Sequence, residues 1–375
     1  MNIDFLLIGG GCGGFETALH LRKLAPDATI TLVNPRPHLI YRPWLIYLPA
    51  QRRRLEDLQF SLKKAANAYR LQLVIDTVKQ LDHQNQCARL SGGDVIEYRS
   101  AIVATGAPAD REGVQGSAQH ALFPCDVEEA FALQERFLAL KQGHVTVIIA
   151  GERPGPGLEY AGWLATAVQE RGLTGRLHLH VVDDRESLRA RLGDRAMDSV
   201  AGMLAKKGAT LIRDQAVRAV YREGIELENG MAWDSTLTAV VGPLRGTDLG
   251  LPAPIVDELG FVLVQPTFQS ELQPNLFAVG DAMRFPHGMI LPKTWMLARL
   301  QAPLVAQNLV AHTRGKNLRH FDVEKARKSS GLAIPDCGGQ TVMVQIKNGR
   351  VLASGRWPLL LRAMVDRRSL QRLRS

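Results

Sequence analysis

The sequence is poor in cysteine. Only Cys12, Cys87, Cys125 and Cys337 occur in 375 residues, with no CxxC pair, no zinc spacing and no close CxxxxC redox pair. That excludes a cysteine zinc site or a CxxC redox centre and reads as a reducing compartment. No apolar run approaches the roughly 18–20 residues needed to span a bilayer. The start, Met1-Asn2-Ile3-Asp4, carries no basic n-region or cleavage site, so a cytoplasmic protein is expected rather than a secreted one. Tandem repeats and low-complexity stretches are missing. So are zinc-finger and RNA-binding aromatic motifs, and nucleic acid is not expected as a partner.

What is present is the mix of a soluble globular protein, 46% hydrophobic and 22% charged, in a chain long enough for two or three domains. A net charge of +9 suits an anionic partner such as lipid headgroups or nucleotide phosphates.

The organisation is α/β. Asp4–Ile8 is an apolar run that ends in Gly9-Gly10-Gly11-Cys12-Gly13-Gly14; a helical pattern from Phe15 to Leu24 and a β-branched strand from Thr29 to Val33 complete a βαβ unit. Leu71–Ile75 and Ala101–Ala104 supply later strands. A second βαβ unit runs through Val145–Ala150, the Gly/Pro-rich turn Gly151 to Gly157, a helix from Leu158 to Arg171 and the strand Leu177–Val182. A helix over Asp194–Lys207 and strands at Ala239–Val241 and Phe261–Val264 follow. The pattern predicts two Rossmann-like domains, the first interrupted by the second. Residues 1–110 and 254–324 are expected to form the first, discontinuous domain, 111–253 the second, and 325–375 a C-terminal interface or membrane segment.

Gly9, Gly11 and Gly14 satisfy GxGxxG between a strand and a helix. The first glycine permits the tight turn, the second lets a pyrophosphate approach the backbone, and the third lets helix and strand pack closely. The acidic residue expected at the end of the next strand is replaced by Asn34, whose amide can bond a ribose hydroxyl without charge. Far away, Asn275-Leu276-Phe277-Ala278-Val279-Gly280-Asp281-Ala282 is an apolar strand ending in Gly-Asp, which sets a carboxylate where a sugar-alcohol hydroxyl can be bound.

This second pattern resembles the distal flavin motif of the two-dinucleotide-domain flavoproteins, the pyridine nucleotide–disulfide oxidoreductase superfamily. The resemblance implies that Asp281 holds the ribityl chain of FAD. Ile102-Val103-Ala104-Thr105-Gly106 is similar to the family's "ATG" segment, which adds Thr105 and Gly106 to the cofactor-binding residues. The stretch from Val33 to Pro43 resembles type II NADH dehydrogenases and sulfide:quinone oxidoreductases, which implies that Pro43 lies beside the flavin ring. Pro292-Lys293-Thr294 is similar to the "PKT" segment of the sulfide enzymes. It opens a helical pattern through Ala311, and Lys293 either steadies reduced flavin or is a solvated first-turn lysine.

The electron donor stays open. The sulfur-carrying positions of the sulfide enzymes fall at Leu158 and Ala333, and Cys125 and Cys337 read as two structural thiols rather than a redox pair. Gly157-Leu158-Glu159-Tyr160-Ala161-Gly162 resembles the "GVELAG" helix start of NADH-using relatives, which makes Glu159 the acidic residue facing the flavin. Against that, Glu152 and Arg153 put bulk in the phosphate path, and Pro154 and Pro156 remove N–H donors. Asp183 or Asp184 is either a ribose ligand or a solvated strand end. The glutamines of the quinone pocket in type II NADH dehydrogenases are replaced by Met296 and Leu300, which still suit an apolar ring.

At the C-terminus, Trp357, Leu360, Leu361, Met364 and Val365 share a helix face among Arg362, Arg367, Arg368, Arg372 and Arg374, with Leu370 and Leu373 off the stripe. An anionic membrane surface is the expected occupant, giving peripheral attachment at the inner face; the alternative is a helix docked on its own domain or on a homodimer mate. Three functions are carried forward. The first is an FAD-dependent transfer from NAD(P)H to a quinone-type acceptor, with Glu159 and Lys293 as catalytic candidates. The second is a sulfide-type quinone or cytochrome reductase with altered cysteines, and the third a flavin-bound or empty scaffold without turnover.

Overall fold

The computed structural model describes residues 2–151, 154–286, 291–329, 332–346 and 348–374. Glu152 and Arg153, and the side chains of Arg372 and Arg374, lie outside the described residues. In chain order the elements that carry the site are β1 (Asn2–Ile8), α1 (Cys12–Leu24), β2 (Ile30–Asn34), β3 (Gln72–Ile75), β4 (Val78–Asp82), β5 (Cys87–Leu90), β6 (Val95–Val103), β7 (Gly143–Ile149), α2 (Gly155–Glu170), β8 (Leu177–Asp184), α3 (Ser187–Leu192), α4 (Asp194–Ala205), β9 (Ala209–Gln215), β10 (Leu237–Val241), β11 (Leu276–Ala278), α5 (Trp295–Thr313) and α6 (Leu359–Arg374).

Two compact units form. The first gathers Met1–Ile40, Gln59–Pro108 and Arg245–Lys328; the second gathers Tyr41–Leu58, Ala109–Leu244 and Ser329–Ser375. These seams differ from the sequence-based ones: residues 41–58 and 109–110 fall in the second unit, 245–253 and 325–328 in the first, and the rest of the C-terminal segment is part of the second. Aromatic and polar side chains of 41–58 bond the C-terminal residues, a long-range pairing invisible to local pattern.

The first unit is built on a seven-stranded sheet in the order β3-β2-β1-β6-β5-β4, with β11 also on β6. Strand β6 is longer than the expected Ala101–Ala104 because its two halves have different neighbours. Its start pairs antiparallel with β5 and its end parallel with β11, Leu276 opposite Ala101 and Ala278 opposite Val103. That pairing sets the distal Gly280-Asp281 turn at the same sheet edge as the β1–α1 turn, because β1 and β6 run parallel with Ile8 opposite Val103. Buried Leu6, Leu7, Ile30, Leu32, Ala101 and Ile102 carry the core on both faces, as a covered parallel sheet requires.

In the second unit β9-β8-β7-β10 form a four-stranded parallel sheet, with β8 and β7 in register from Leu177 opposite Gly143 to Asp183 opposite Ile149. Its core of Val145, Val147, Ile149, Leu158, Leu164, Val181 and Met197 lies between the sheet and the helices α2 and α4. Among the described residues, no helix is long and apolar enough to cross a membrane.

Candidate functional site

The β1–α1 turn is set by glycine sterics. Gly9 has φ +108, and a Cβ there would come to 2.5 Å from the Ala104 carbonyl oxygen; at Gly14 it would meet the Gly9 oxygen at 2.0 Å. These two glycines are required by packing alone. Gly11 is different: it has ordinary extended backbone, and a Cβ there would meet nothing within 4 Å. Among the described residues, packing gives that position no reason to lack a side chain. Gly11 also caps α1 without a side-chain bond, which leaves first-turn N–H groups to an anion. The helix starts at Cys12 rather than the expected Phe15, since Gly13 and Gly14 serve as its first turn.

Asn34 ends β2 and turns back on this loop. Its Oδ1 accepts from the Gly10 N–H at 2.8 Å and its Nδ2 donates to the Arg36 carbonyl at 2.7 Å. The amide therefore braces the glycine turn, and Oδ1 keeps one lone pair for a hydroxyl. Thr105 and Gly106 follow β6, Gly106 at φ +74.

The distal turn is buttressed from α5. The Gln301 Oε1 accepts from the Gly280 N–H at 2.8 Å, while Gly280 itself sits at φ +72. Lys293 is buried, and its ammonium group donates to the carbonyls of Asp281 at 2.8 Å and Met283 at 3.0 Å, with the Phe261 ring 4.0 Å away. It is not the solvated first-turn lysine that the sequence left open, and it precedes the helix: α5 starts at Trp295, with Thr294 as N-cap accepting from the Leu297 N–H. Lysine here clamps the loop that presents Asp281. Inter-helix contacts complete the seam. The Cys12 thiol approaches the Trp295 carbonyl at 3.5 Å, Arg299 approaches the buried Glu16 at 3.6 Å, and burial pushes the Cys12 thiol up. Gln301, Glu16 and Arg299 carry no motif, and only the packing of α1 on α5 reveals them. Met296 and Leu300 are exposed on the first turns of α5.

The second unit holds the remaining candidates. Pro43 is the second residue of a 3-10 turn, Arg42–Tyr47. Glu159 on α2 is buried, and both of its oxygens are bonded by Arg362 of α6; Oε1 also accepts from the Asp336 N–H at 3.1 Å. Leu158 is wholly buried, and Ala333 is apolar. Cys337 is a buried free thiol pushed up to about 12 by burial, with Asp336 adding to the rise. Cys125 is also a free thiol.

Asp183 and Asp184 are not solvated strand ends. Asp183 accepts from the Leu188 and Arg189 N–H groups at 2.5 and 3.1 Å, which starts α3, and Asp184 accepts from the Val217 N–H at 2.7 Å and pairs with Arg185. Burial raises both carboxyls above the usual range. Among the described residues no cluster of His, Cys, Asp or Glu is arranged to hold a metal.

At the C-terminus, Trp357 precedes α6, and Leu360, Leu361, Met364 and Val365 on the helix are exposed with it. Arg362, Asp366, Ser369 and Leu370 face inward, which accounts for Leu370 falling off the stripe.

Comparison with known proteins agrees with this arrangement. The chain matches the pyridine nucleotide-disulphide oxidoreductase family over residues 3–302. A sulfide-quinone reductase of Aquifex aeolicus is 25% identical over 89% of this chain and 81% of its own. A type II NADH:quinone oxidoreductase of Staphylococcus epidermidis is 23% identical over 98% and 95%. The crystal structure of the sulfide:quinone oxidoreductase from Aquifex aeolicus superposes with a TM-score of 0.84, covering 99% of this chain and 91% of the other at 22% identity. With a family match that spans both βαβ units and the distal Gly280-Asp281 turn, the chain belongs to the pyridine nucleotide-disulphide oxidoreductases and is a FAD-dependent oxidoreductase.

Proposed function

We propose that the protein takes a hydride from NAD(P)H onto FAD and passes the electrons to a quinone-type acceptor at an anionic membrane surface. What carries the donor is the resemblance to the sulfide enzymes, by which their two thiol positions fall at Leu158 and Ala333, while the β7–α2–β8 unit with Glu159 on its helix is present. A buried leucine cannot form the thiolate on which sulfide chemistry depends. Support for the acceptor comes from the quinone-linked relatives and from apolar Met296 and Leu300 exposed on α5.

In this reading Gly9, Gly11 and Gly14 admit the pyrophosphate of FAD to the α1 N-terminus, Asn34 contacts the adenosine ribose, and Asp281 bonds the ribityl hydroxyls. Thr105 and Gly106 line the approach. FAD, when bound, supplies two-electron exchange with a hydride donor and stepwise exchange with a quinone. The chain's own work is to bind, orient and exclude water, with the Lys293 clamp fixing the Asp281 loop. Since Asp183 and Asp184 already bond backbone amides, the nicotinamide dinucleotide is held without a free ribose carboxylate, and a weak KM for it is expected. The exposed stripe of α6 beside Arg367 and Arg368 supplies the membrane contact. A homodimer mate is the alternative cover for that stripe.

Anaerobic mixing with NADH, NADPH or sulfide, followed by flavin bleaching, tests the donor. Bleaching by a nicotinamide but not by sulfide is the expected result; bleaching by sulfide alone would return the protein to the sulfide branch. Asp281→Ala should weaken FAD retention by about 1.5–3 kcal/mol, the worth of a charge-assisted hydrogen bond, as read by equilibrium dialysis.

A further inference from the structure

Helix α6 is seated with its polarity reversed. Its inward side holds Arg362, bonded to both oxygens of Glu159 and to the Ile334 carbonyl at 3.1 Å, and one turn later Asp366, which accepts from the Tyr41 hydroxyl at 2.7 Å and the Trp44 indole N–H at 3.2 Å. Its outward side shows Leu360, Leu361, Met364 and Val365, which are 42–68% exposed. An ordinary docked helix buries its apolar stripe and wets its charges. Here a few directional polar bonds hold the helix, and its hydrophobic face is left for another phase.

The key contact is the ion pair. The side chain of Glu159 is 11% exposed and that of Arg362 17%, so the carboxylate has little access to water and depends on the guanidinium for its charge. The other groups around this node are Asp336, whose N–H bonds Glu159, and Tyr47, whose hydroxyl bonds the Asp336 carboxylate at 2.9 Å. Lys207 lies behind them and donates to the Gly338 carbonyl at 2.6 Å, with Asp366 on α6 itself. Among these groups only Arg362 reaches both Glu159 oxygens with a positive charge.

We propose that Arg362 is a positioning residue that reports the seating of α6 to Glu159: drawing the apolar face of α6 onto an anionic lipid surface withdraws Arg362, and the orphaned Glu159 carboxylate takes up one proton from solvent. Seated, Glu159 is a fixed anion held to the Asp336 N–H; released, it is a neutral acid able to donate a proton at the position where the family resemblance sets an acidic side chain. Loss of the cation that, among the described residues, bonds this buried carboxylate favours its uncharged form. The inference rests on the reading that this helix meets a membrane, and its two parts are separable.

Infrared difference spectroscopy on the full-length protein reads the protonation directly. At neutral pH, adding vesicles of phosphatidylglycerol should produce the carbonyl-stretch band of a protonated carboxylic acid. Arg362→Gln should show the band without vesicles, and Glu159→Gln should lack it in every condition, which separates Glu159 from Asp336. Arg362→Lys, which keeps the charge, should suppress the vesicle-free band. In parallel, the pH profile for reoxidation of the reduced flavin by a short-chain quinone should move by about one pH unit or more in Arg362→Gln. If the protein sediments with the vesicles but neither the lipid nor Arg362→Gln produces the band, the proposal is overturned. If the protein does not sediment, the membrane reading fails, and the lipid-driven part with it. The Arg362→Gln spectrum then decides by itself whether Arg362 governs the charge on Glu159.

Discussion

Gly11 and Gly14 sit three residues apart in one motif and answer to different demands. A methyl at Gly14 would strike the Gly9 carbonyl oxygen at 2.0 Å, so Gly14→Ala must push α1 away from β1. A methyl at Gly11 enters open space on unstrained backbone. Gly11→Ala should therefore leave the melting temperature of the FAD-free protein unchanged and still lose FAD. Gly14→Ala should lower the melting temperature with or without flavin. Thermal melts of stripped and reloaded protein distinguish them, and equal destabilisation by both would remove the argument that Gly11 is kept for a ligand. The cysteines allow a second residue-scale expectation. With its thiol pushed up to about 12 by burial, Cys337 is protonated and shielded at neutral pH and should resist alkylation in the folded protein. Mass-spectrometric mapping after iodoacetamide treatment checks this; rapid labelling at Cys337 would reopen a thiol route.

At the scale of elements, α6 is the part whose chemistry the local pattern states and whose seating it hides. Trp357, Leu360, Leu361, Met364 and Val365 are recognisable as a stripe from spacing alone. That the stripe faces outward follows from Tyr41, Trp44 and Glu159, more than a hundred residues away in sequence. Deleting the helix would also remove the partners of Glu159 and Tyr41, so truncation mixes two effects. Changing Leu360, Leu361 and Met364 to serine leaves Arg362 and Asp366 in place. That variant should lose co-sedimentation with anionic vesicles while keeping FAD and its melting temperature. For the natural protein the electrostatic share, roughly 1 kcal/mol per basic residue near such a surface, should weaken with salt. Unchanged sedimentation of the triple variant would sink the membrane reading of this face.

For the whole molecule, acid stability depends on histidines in both units. Burial lowers the pKa of His180, helped by His144, whose Nδ1 lies 3.1 Å from the His180 Nε2, and by His178. Burial alone lowers His312 in the other unit. A histidine depressed in the folded state binds fewer protons than in the unfolded chain. Stability is then highest above the ordinary histidine value of about 6.5 and falls as pH drops below it. Asp183, Asp184 and Asp336, raised by burial, act in the opposite sense and nearer the carboxylate range. Melting temperature should fall between about pH 7 and pH 5, and His180→Gln should flatten part of that slope. A variant that keeps the full slope would show that this cluster does not set it.

By itself the sequence determined the α/β class, the two βαβ units, the glycine turn and the Gly-Asp strand end, because each is a short-range pattern with its own steric or periodic cause. Tertiary structure decided what the long-range partners are. Lys293 turned inward to two carbonyls, since the loop at Asp281–Met283 had buried oxygens to satisfy. Asp183 went to an α3 amide pair and Glu159 to Arg362, because a buried carboxylate takes the donor or cation that packing brings to it. Those partners come from elements up to 203 residues apart, and no local spacing encodes which of them will meet.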